Sequence, residues 1–232
     1  MEPARAAQAL AEASSSMTRP HDVVGALGDL LQGCLSGLAV DAAGILVDAG
    51  GHLELLASSS HEAAELETHQ LHVDEGPCVE AHATATSLQA HGERELRARW
   101  PQFASTMLRS GFHSVHAAPL VLQGQGIGAM GIFRRADEPF GTEEDAVAQA
   151  FADIASMLIL HTNDVGSDEM SERLRRALDG RVLVEQAKGV LADQRDVEMA
   201  EAYRLLVEGA RERRLDVTTW ASEVIDGAQR AR

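Results

Sequence analysis

The alternation of apolar and polar positions predicts most of the elements of this chain. Residues 4–13 are Ala-rich and predict a helix, interrupted by Ser14, Ser15, Ser16 and Pro20. After Asp22, a suitable cap, Val23, Val24, Leu27, Leu30, Leu31, Leu35 and Leu38 recur at helical spacing. Two short apolar runs, 43–47 and 53–57, flank Asp48-Ala49-Gly50-Gly51 and predict a hairpin. Residues 60–82 are polar and His-rich, and their pattern assigns no element. Leu96, Trp100, Phe103, Met107 and Leu108 form a stripe that predicts helix over 93–110, with Pro101 marking a break or a start. Runs 115–121 and 127–133 flank Gln123-Gly124-Gln125-Gly126 as a second hairpin, whose Gly-rich second arm lets a backbone or a ligand approach closely. Helix resumes at Thr142, where Thr142 and Asp145 are spaced like a capping box, and Phe151, Ile154, Ala155, Leu158 and Ile159 form the apolar side. Residues 163–167 interrupt it. Beyond them no strand pattern occurs, and helices are predicted over 168–193, 197–214 and 217–228, with Asp196 and Thr218 as candidate caps.

The front part therefore predicts an α+β fold, an antiparallel sheet flanked by helices, and the back part an all-α three-helix domain. The boundaries are an N-terminal extension over 1–19, a front domain over 20–163 and a back domain over 164–228. The length of 232 residues, 45% of them hydrophobic, accommodates two such domains. No signal-peptide pattern is evident, and no run approaches the ~18 apolar residues of a membrane helix, so a cytoplasmic protein without a membrane partner is expected. Cys34 and Cys78 fit no metal or redox spacing.

Charge changes the picture once it is divided. The formal net charge is −16, from 20 basic and 36 acidic residues. Twelve of each fall in 171–232, which leaves eight basic and twenty-four acidic residues in front. All the excess acid lies in the front part, and the back part is neutral. With a screening length of ~8 Å at physiological salt, acid on one domain does not block a local cationic face on another.

The most informative segment is 181–191. Met170, Leu174, Ala177, Arg181, Val184, Lys188 and Leu191 form a coiled-coil-like seam with two cations seven residues apart. Lys188 is the only lysine in the chain; the other nineteen basic residues are Arg. Two readings stay open for the pair: they snorkel from a partly exposed seam, or they meet an anion. Gly189 either marks a tight helix crossing or leaves the backbone approachable. Arg211, Arg213 and Arg214 crowd the end of the second back helix, where the dipole favours them anyway. Tyr203 and Trp220 read first as core.

In the front part, His52, His61, His69, His72, His82, His91, His113 and His116 read as scattered surface residues, although His69 and His72 share a helical face. Both cysteines read as small buried side chains. No phosphate loop or catalytic triad is present. The sequence therefore yields no catalytic residue and no metal site, and it leaves the cofactor unknown and the ligand unread.

Glu75-Gly76-Pro77-Cys78, Arg99-Trp100-Pro101-x-Phe103, Gly111-Phe112-His113-Ser114-Val115, Ala118-Pro119-Leu120 and Gly126-Ile127-Gly128-Ala129 resemble, in order and spacing, GAF sensor domains of actinobacterial regulators. The resemblance implies a six-stranded sheet, a pocket on one sheet face with room for a small-molecule ligand, and dimerisation through terminal helices. One branch of that family reduces free methionine sulfoxide with thiols, a remote alternative here. Arg181-x-x-Val184-x-Gln186-Ala187-Lys188-Gly189-x-Leu191, with Glu201-Ala202-Tyr203-x-x-Leu206-x-x-x-Ala210 and Ala221-x-x-Val224-Ile225, resembles the ANTAR domain. It implies a three-helix module that binds paired RNA stem-loops in nascent transcripts and favours antitermination. Carried over by position, Arg181, Lys188 and Gly189 face RNA; Arg211 and Arg214 are added from charge alone. Ala192, where the family often has Met, and Trp220, where a smaller aliphatic is common, depart from the pattern. The expected function is a homodimeric transcription antitermination regulator, with DNA binding or protein docking by the same tail as alternatives.

Overall fold

The computed structural model describes residues 3–16, 23–122, 124–160 and 167–230. The elements run α1 (Pro3–Ser16), α2 (Val23–Leu38), β1 (Ala42–Asp48), β2 (Leu53–Ser58), α3 (His61–Val73), α4 (Pro77–Thr84), β3 (Leu88–His91), α5 (Glu93–Arg99) and α6 (Pro101–Arg109). They continue as β4 (Ser114–Leu122), β5 (Gln125–Arg134), α7 (Thr142–Leu160), α8 (Ser167–Arg195), α9 (Met199–Arg213) and α10 (Val217–Arg230). The caps expected at Asp22 and the interruption near Pro20 lie outside the described residues, as does most of the 163–167 interruption.

The five strands form one antiparallel sheet in the order β2-β1-β5-β4-β3. The sixth strand that the GAF resemblance implied is absent among the described residues. Between β2 and β3 the chain turns helical instead: the Ser60 hydroxyl accepts from Ala63 N to cap α3, and Pro77 starts α4 in its first turn. The polar run 60–82 thus holds two helices that its weak periodicity did not disclose.

Strand alternation sorts side chains to two faces. Ala43, Ile45, Val47, Ala118, Leu120, Met130 and Ile132 meet Leu27, Leu30, Leu31, Cys34, Phe151, Ala155 and Leu158 of α2 and α7 in the largest core. Each fully buried Leu or Phe there contributes about 2 kcal/mol. The other face carries α3 to α6, with Leu66, Leu96, Trp100, Phe103, Met107 and Phe112 packed on Val115 and Phe133. The Gly-rich arm does bring backbones close: a Cβ on Gly128 would lie 2.1 Å from the carbonyl oxygen of Leu46.

Three expected caps are corrected. At α7 it is Glu144, not Asp145, that reaches back, accepting from Gly141 N at 2.9 Å. Asp145 turns to the sheet and meets His116. Asp196 closes α8 rather than opening α9: its φ is 51°, and Val197 N donates to Ala192 O. Helix α10 opens one residue before Thr218, with Trp220 N donating to Asp216 O, so Asp216 holds the cap position.

α8 joins the two parts. Leu174 and Ala177, near its start, lie in the large front core; Val184 and Ala187, further along, lie in the core of the back module. No helix among the described residues is long and apolar enough to cross a membrane.

Candidate nucleic-acid interface

The back module packs α8, α9 and α10 around Val184, Ala187, Leu206 and Ala221, with Leu191, Tyr203, Val217, Trp220, Val224 and Ile225 partly buried against them. Leu174, Ala177, Val184 and Leu191 of the predicted seam turn inward, and its two cations stay half-buried at the edge. Arg181 and Lys188 lie on one face of α8, two turns or about 10.5 Å apart along the axis.

Lys188 has met an anion. Its Nζ lies 2.9 Å from each carboxylate oxygen of Glu185, one turn earlier, and 5.6 Å from the centre of the Tyr203 ring. Its side chain is 17% exposed and that of Glu185 43%. The ammonium is therefore held in place at a partly open edge of α8. Gly189, next to it, is exposed, and an added Cβ would meet nothing within 4 Å. A tight helix crossing does not explain this glycine. The tight crossing in α8 is at Gly180, which sequence reasoning passed over: a Cβ there would lie 2.9 Å from Thr218 Cγ2 and 3.2 Å from Val24 Cγ2.

The other two expected residues sit apart from this pair, at the end of α9. Arg211 donates to both carboxylate oxygens of Asp29 in α2, at 3.2 and 3.4 Å. Arg214 is exposed and caps α9 in the left-handed region at φ 56°, its N–H turned back to Ala210 and Arg211 carbonyls. Trp220 fits because residue 209 is glycine: a Cβ there would come within 2.6 Å of the indole Nε1. The Arg213 guanidinium covers the indole at 4.0 Å.

The front-domain motifs are structural. Glu75 accepts from Gln102 N and Phe103 N and so caps α6. Glu80 accepts from Trp100 Nε1 at 2.8 Å and Arg99 Nη2 at 3.0 Å, and the Arg99 guanidinium lies over the Trp100 ring. Cys78 N donates to Gln70 Oε1, Gln70 Nε2 donates to Glu67 Oε2 at 2.6 Å, and the Cys78 thiol faces Glu67 Oε1 at 3.7 Å. Sequence reasoning missed Glu67. It is fully buried on the sheet, over the cross-strand pair Gly44 and Gly131, whose missing side chains leave its carboxyl room. Burial pushes its pKa up to about 8, against the lowering effect of the Cys78 and Gln70 hydrogen bonds. The carboxyl thus fills the space over Gly44 and Gly131 on the sheet face. A cleft of about 550 Å³ opens elsewhere, between α1, α2 and Arg211.

Both cysteines are buried, as expected, but in separate cores: Cys34 lies with α2 and α7, Cys78 on the opposite sheet face. Burial pushes both thiols well up, which disfavours the attacking thiolate. The histidines are not all on the surface. His116 is fully buried, with Nε2 2.6 Å from Asp145 Oδ1. Burial lowers its pKa, partly offset by Asp145. His82 is mostly buried and faces Asp48 at 3.3 Å. Among the described residues no three of His, Cys, Asp or Glu converge as a metal set.

The sheet with its two helical layers defines a sensor-type domain, and solved structures share it. The GAF domain of a phosphoenolpyruvate-protein phosphotransferase from Coxiella burnetii aligns at TM-score 0.53 and 14% identity, over 69% of this chain and 96% of that one. The corresponding Acinetobacter domain aligns at 0.51 and 14%, over 69% and 95%. The GAF domain of A. aeolicus nlh2 aligns at 0.50 and 16%, over 66% and 94%. These likenesses show the fold. No curated protein matches the chain. The GAF domain family model matches residues 22–159 and the ANTAR domain model residues 172–225. The chain belongs to the GAF family and carries an ANTAR domain behind its sensor domain, the architecture of a two-domain regulator.

Proposed function

We propose that this chain is a cytoplasmic RNA-binding regulator of transcription antitermination, without enzymatic activity of its own. Its GAF domain senses a signal and sets the disposition of ANTAR modules, paired in a homodimer, on paired RNA stem-loops. The domain boundaries follow the same reading, 20–163 for sensing and 164–228 for RNA. Lys188 is the observation that carries it. The single lysine of the chain is held by Glu185 and Tyr203 at an open edge of α8, beside a glycine with clear space around it. Arg181, two turns away on the same face, extends the cationic line, and Arg211 and Arg214 are secondary contacts. Binding two loops by a dimer makes the second event intramolecular, so the geometry imposed by the sensor becomes part of the affinity.

The front of α10 argues against a DNA-reading helix. Residues 217–223 hold no Arg or Lys, and Trp220 and Ala221 there pack inward. Filter binding of hairpin RNA, two-hairpin RNA and duplex DNA tests the proposal. Retention of the hairpins over duplex DNA is expected. Equal retention of duplex DNA, or retention of neither, contradicts it.

A further inference from the structure

The α2 helix has two edges with different partners. Leu27, Leu30, Leu31, Cys34 and Leu38 belong to the sensor core. Val24, Gly28 and Asp29 face the ANTAR helices. Val24 is buried in the same apolar cluster as Val184, Ala187, Leu206 and Ala221. A Cβ on Gly28 would lie 2.2 Å from the Tyr203 hydroxyl oxygen and 3.4 Å from its ring carbon Cζ. Asp29 holds Arg211. Gly28 has no backbone need to be glycine, since its φ is not positive, and glycine within a helix is unfavourable. Its requirement is steric, and the group that imposes it belongs to the other domain. Tyr203 is also the ring beside Lys188.

We propose that α2 is an intramolecular clamp: its Val24–Gly28–Asp29 edge holds the ANTAR module against the sensor domain and occupies the Tyr203 edge and Arg211 that RNA would otherwise use. The proposal rests on the RNA-binding reading for what is occluded, though not for the contact itself. α2 is rooted in the sensor core through its other edge, so a rearrangement of that core moves the clamp directly. Signal and effector are then coupled by one helix packed on both, with two discrete arrangements, docked and released.

The test uses the full chain and two variants. Gly28→Leu drives a side chain into Tyr203 while favouring helix, and Asp29→Arg sets like charges at an exposed site where folding is not at risk. Small-angle scattering without RNA reads docking. Affinity is read with a two-hairpin RNA selected on the wild-type chain from a pool randomised in its loops. Both variants are expected to be more extended than wild type. If the docked form holds about nine molecules in ten, they bind the RNA up to about tenfold tighter. Scattering that superimposes on wild type for both variants overturns the clamp, whatever the RNA result. Extended variants that bind the selected RNA no tighter overturn the occlusion. A wild-type chain that captures no RNA from the pool overturns the RNA reading and the occlusion together.

Discussion

Lys188 and Glu185 form a closed pair on α8, the ammonium equidistant at 2.9 Å from both carboxylate oxygens. Three residues apart on one helix, they meet without distorting it. The pair fixes where the cation stands and also lowers the net positive charge offered to a phosphate. Removing the acid while keeping its shape should therefore help RNA binding. Glu185→Gln is expected to tighten hairpin binding a few-fold, measured by fluorescence anisotropy at fixed salt. A loss of affinity would mean that Glu185 positions Lys188 more than it neutralises it.

Glu67 makes stability depend on pH in an uncommon direction. Its pKa is raised to about 8 in the folded chain, from the ordinary carboxyl value of about 4.5. The folded state therefore holds a proton that the unfolded chain has released. The stability tied to that proton is fully present below about pH 4.5 and is lost as pH rises through about 8. Gln70 and Cys78 face the carboxyl from α3 and α4, and Gly44 and Gly131 face it from the sheet, so among the described residues no cation relieves it. Glu67→Gln is expected to gain on wild type by on the order of a few kcal/mol between pH 5 and 9, read from thermal melts. A constant difference across that range would refute the assignment.

Gly209 and Trp220 couple α9 to α10. Gly→Ala in a helix normally gains about 1 kcal/mol. Here the new methyl would come within 2.6 Å of the indole Nε1. Gly209→Ala should instead destabilise the module by about 1–3 kcal/mol, the usual cost of overpacking. Denaturant unfolding followed by indole fluorescence measures it. A stabilised variant would show that Trp220 moves aside freely.

Arg214 sits in the left-handed region at the end of α9, a conformation that costs a non-glycine residue about 1–2 kcal/mol. Arg214→Gly should raise thermal stability while removing one candidate phosphate contact. If Arg214 touches RNA, the same variant binds more weakly although it is more stable. Unchanged affinity would remove Arg214 from the interface.

How much of this was readable in the sequence differed by element. The helices of the back module and both hairpins were legible, because amphipathic spacing and Gly-rich turns act within a few residues of one another. α3 and α4 were not, since their buried positions include Glu67, Gln70 and Cys78, which no apolar pattern marks. The caps at α7 and α9 were misassigned because Asp145 and Asp196 were free to serve other ends: Asp145 answers His116 across the sheet, and Asp196 turns a corner. For the candidate interface, spacing placed Arg181 and Lys188 on one face of α8. It could not show Glu185 closing on Lys188, Asp29 holding Arg211, or Tyr203 lying over Gly28. The first is a choice of rotamer within α8; the other two join residues up to 182 positions apart and depend on how α2 meets α9.

The central claim is that a few placed cations, Lys188 foremost, bind RNA phosphates on a module with no excess charge. The most direct measurement is hairpin-RNA affinity of the wild-type chain and Lys188→Ala across a salt series. With about five phosphates neutralised per module, log affinity should fall against log salt with a slope of about −3.5. Lys188→Ala should bind at least about tenfold more weakly, with a slope shallower by about 0.7 and unchanged helix content. Wild-type affinity that does not respond to salt, or a Lys188→Ala chain that binds the hairpin as wild type does, would contradict the account.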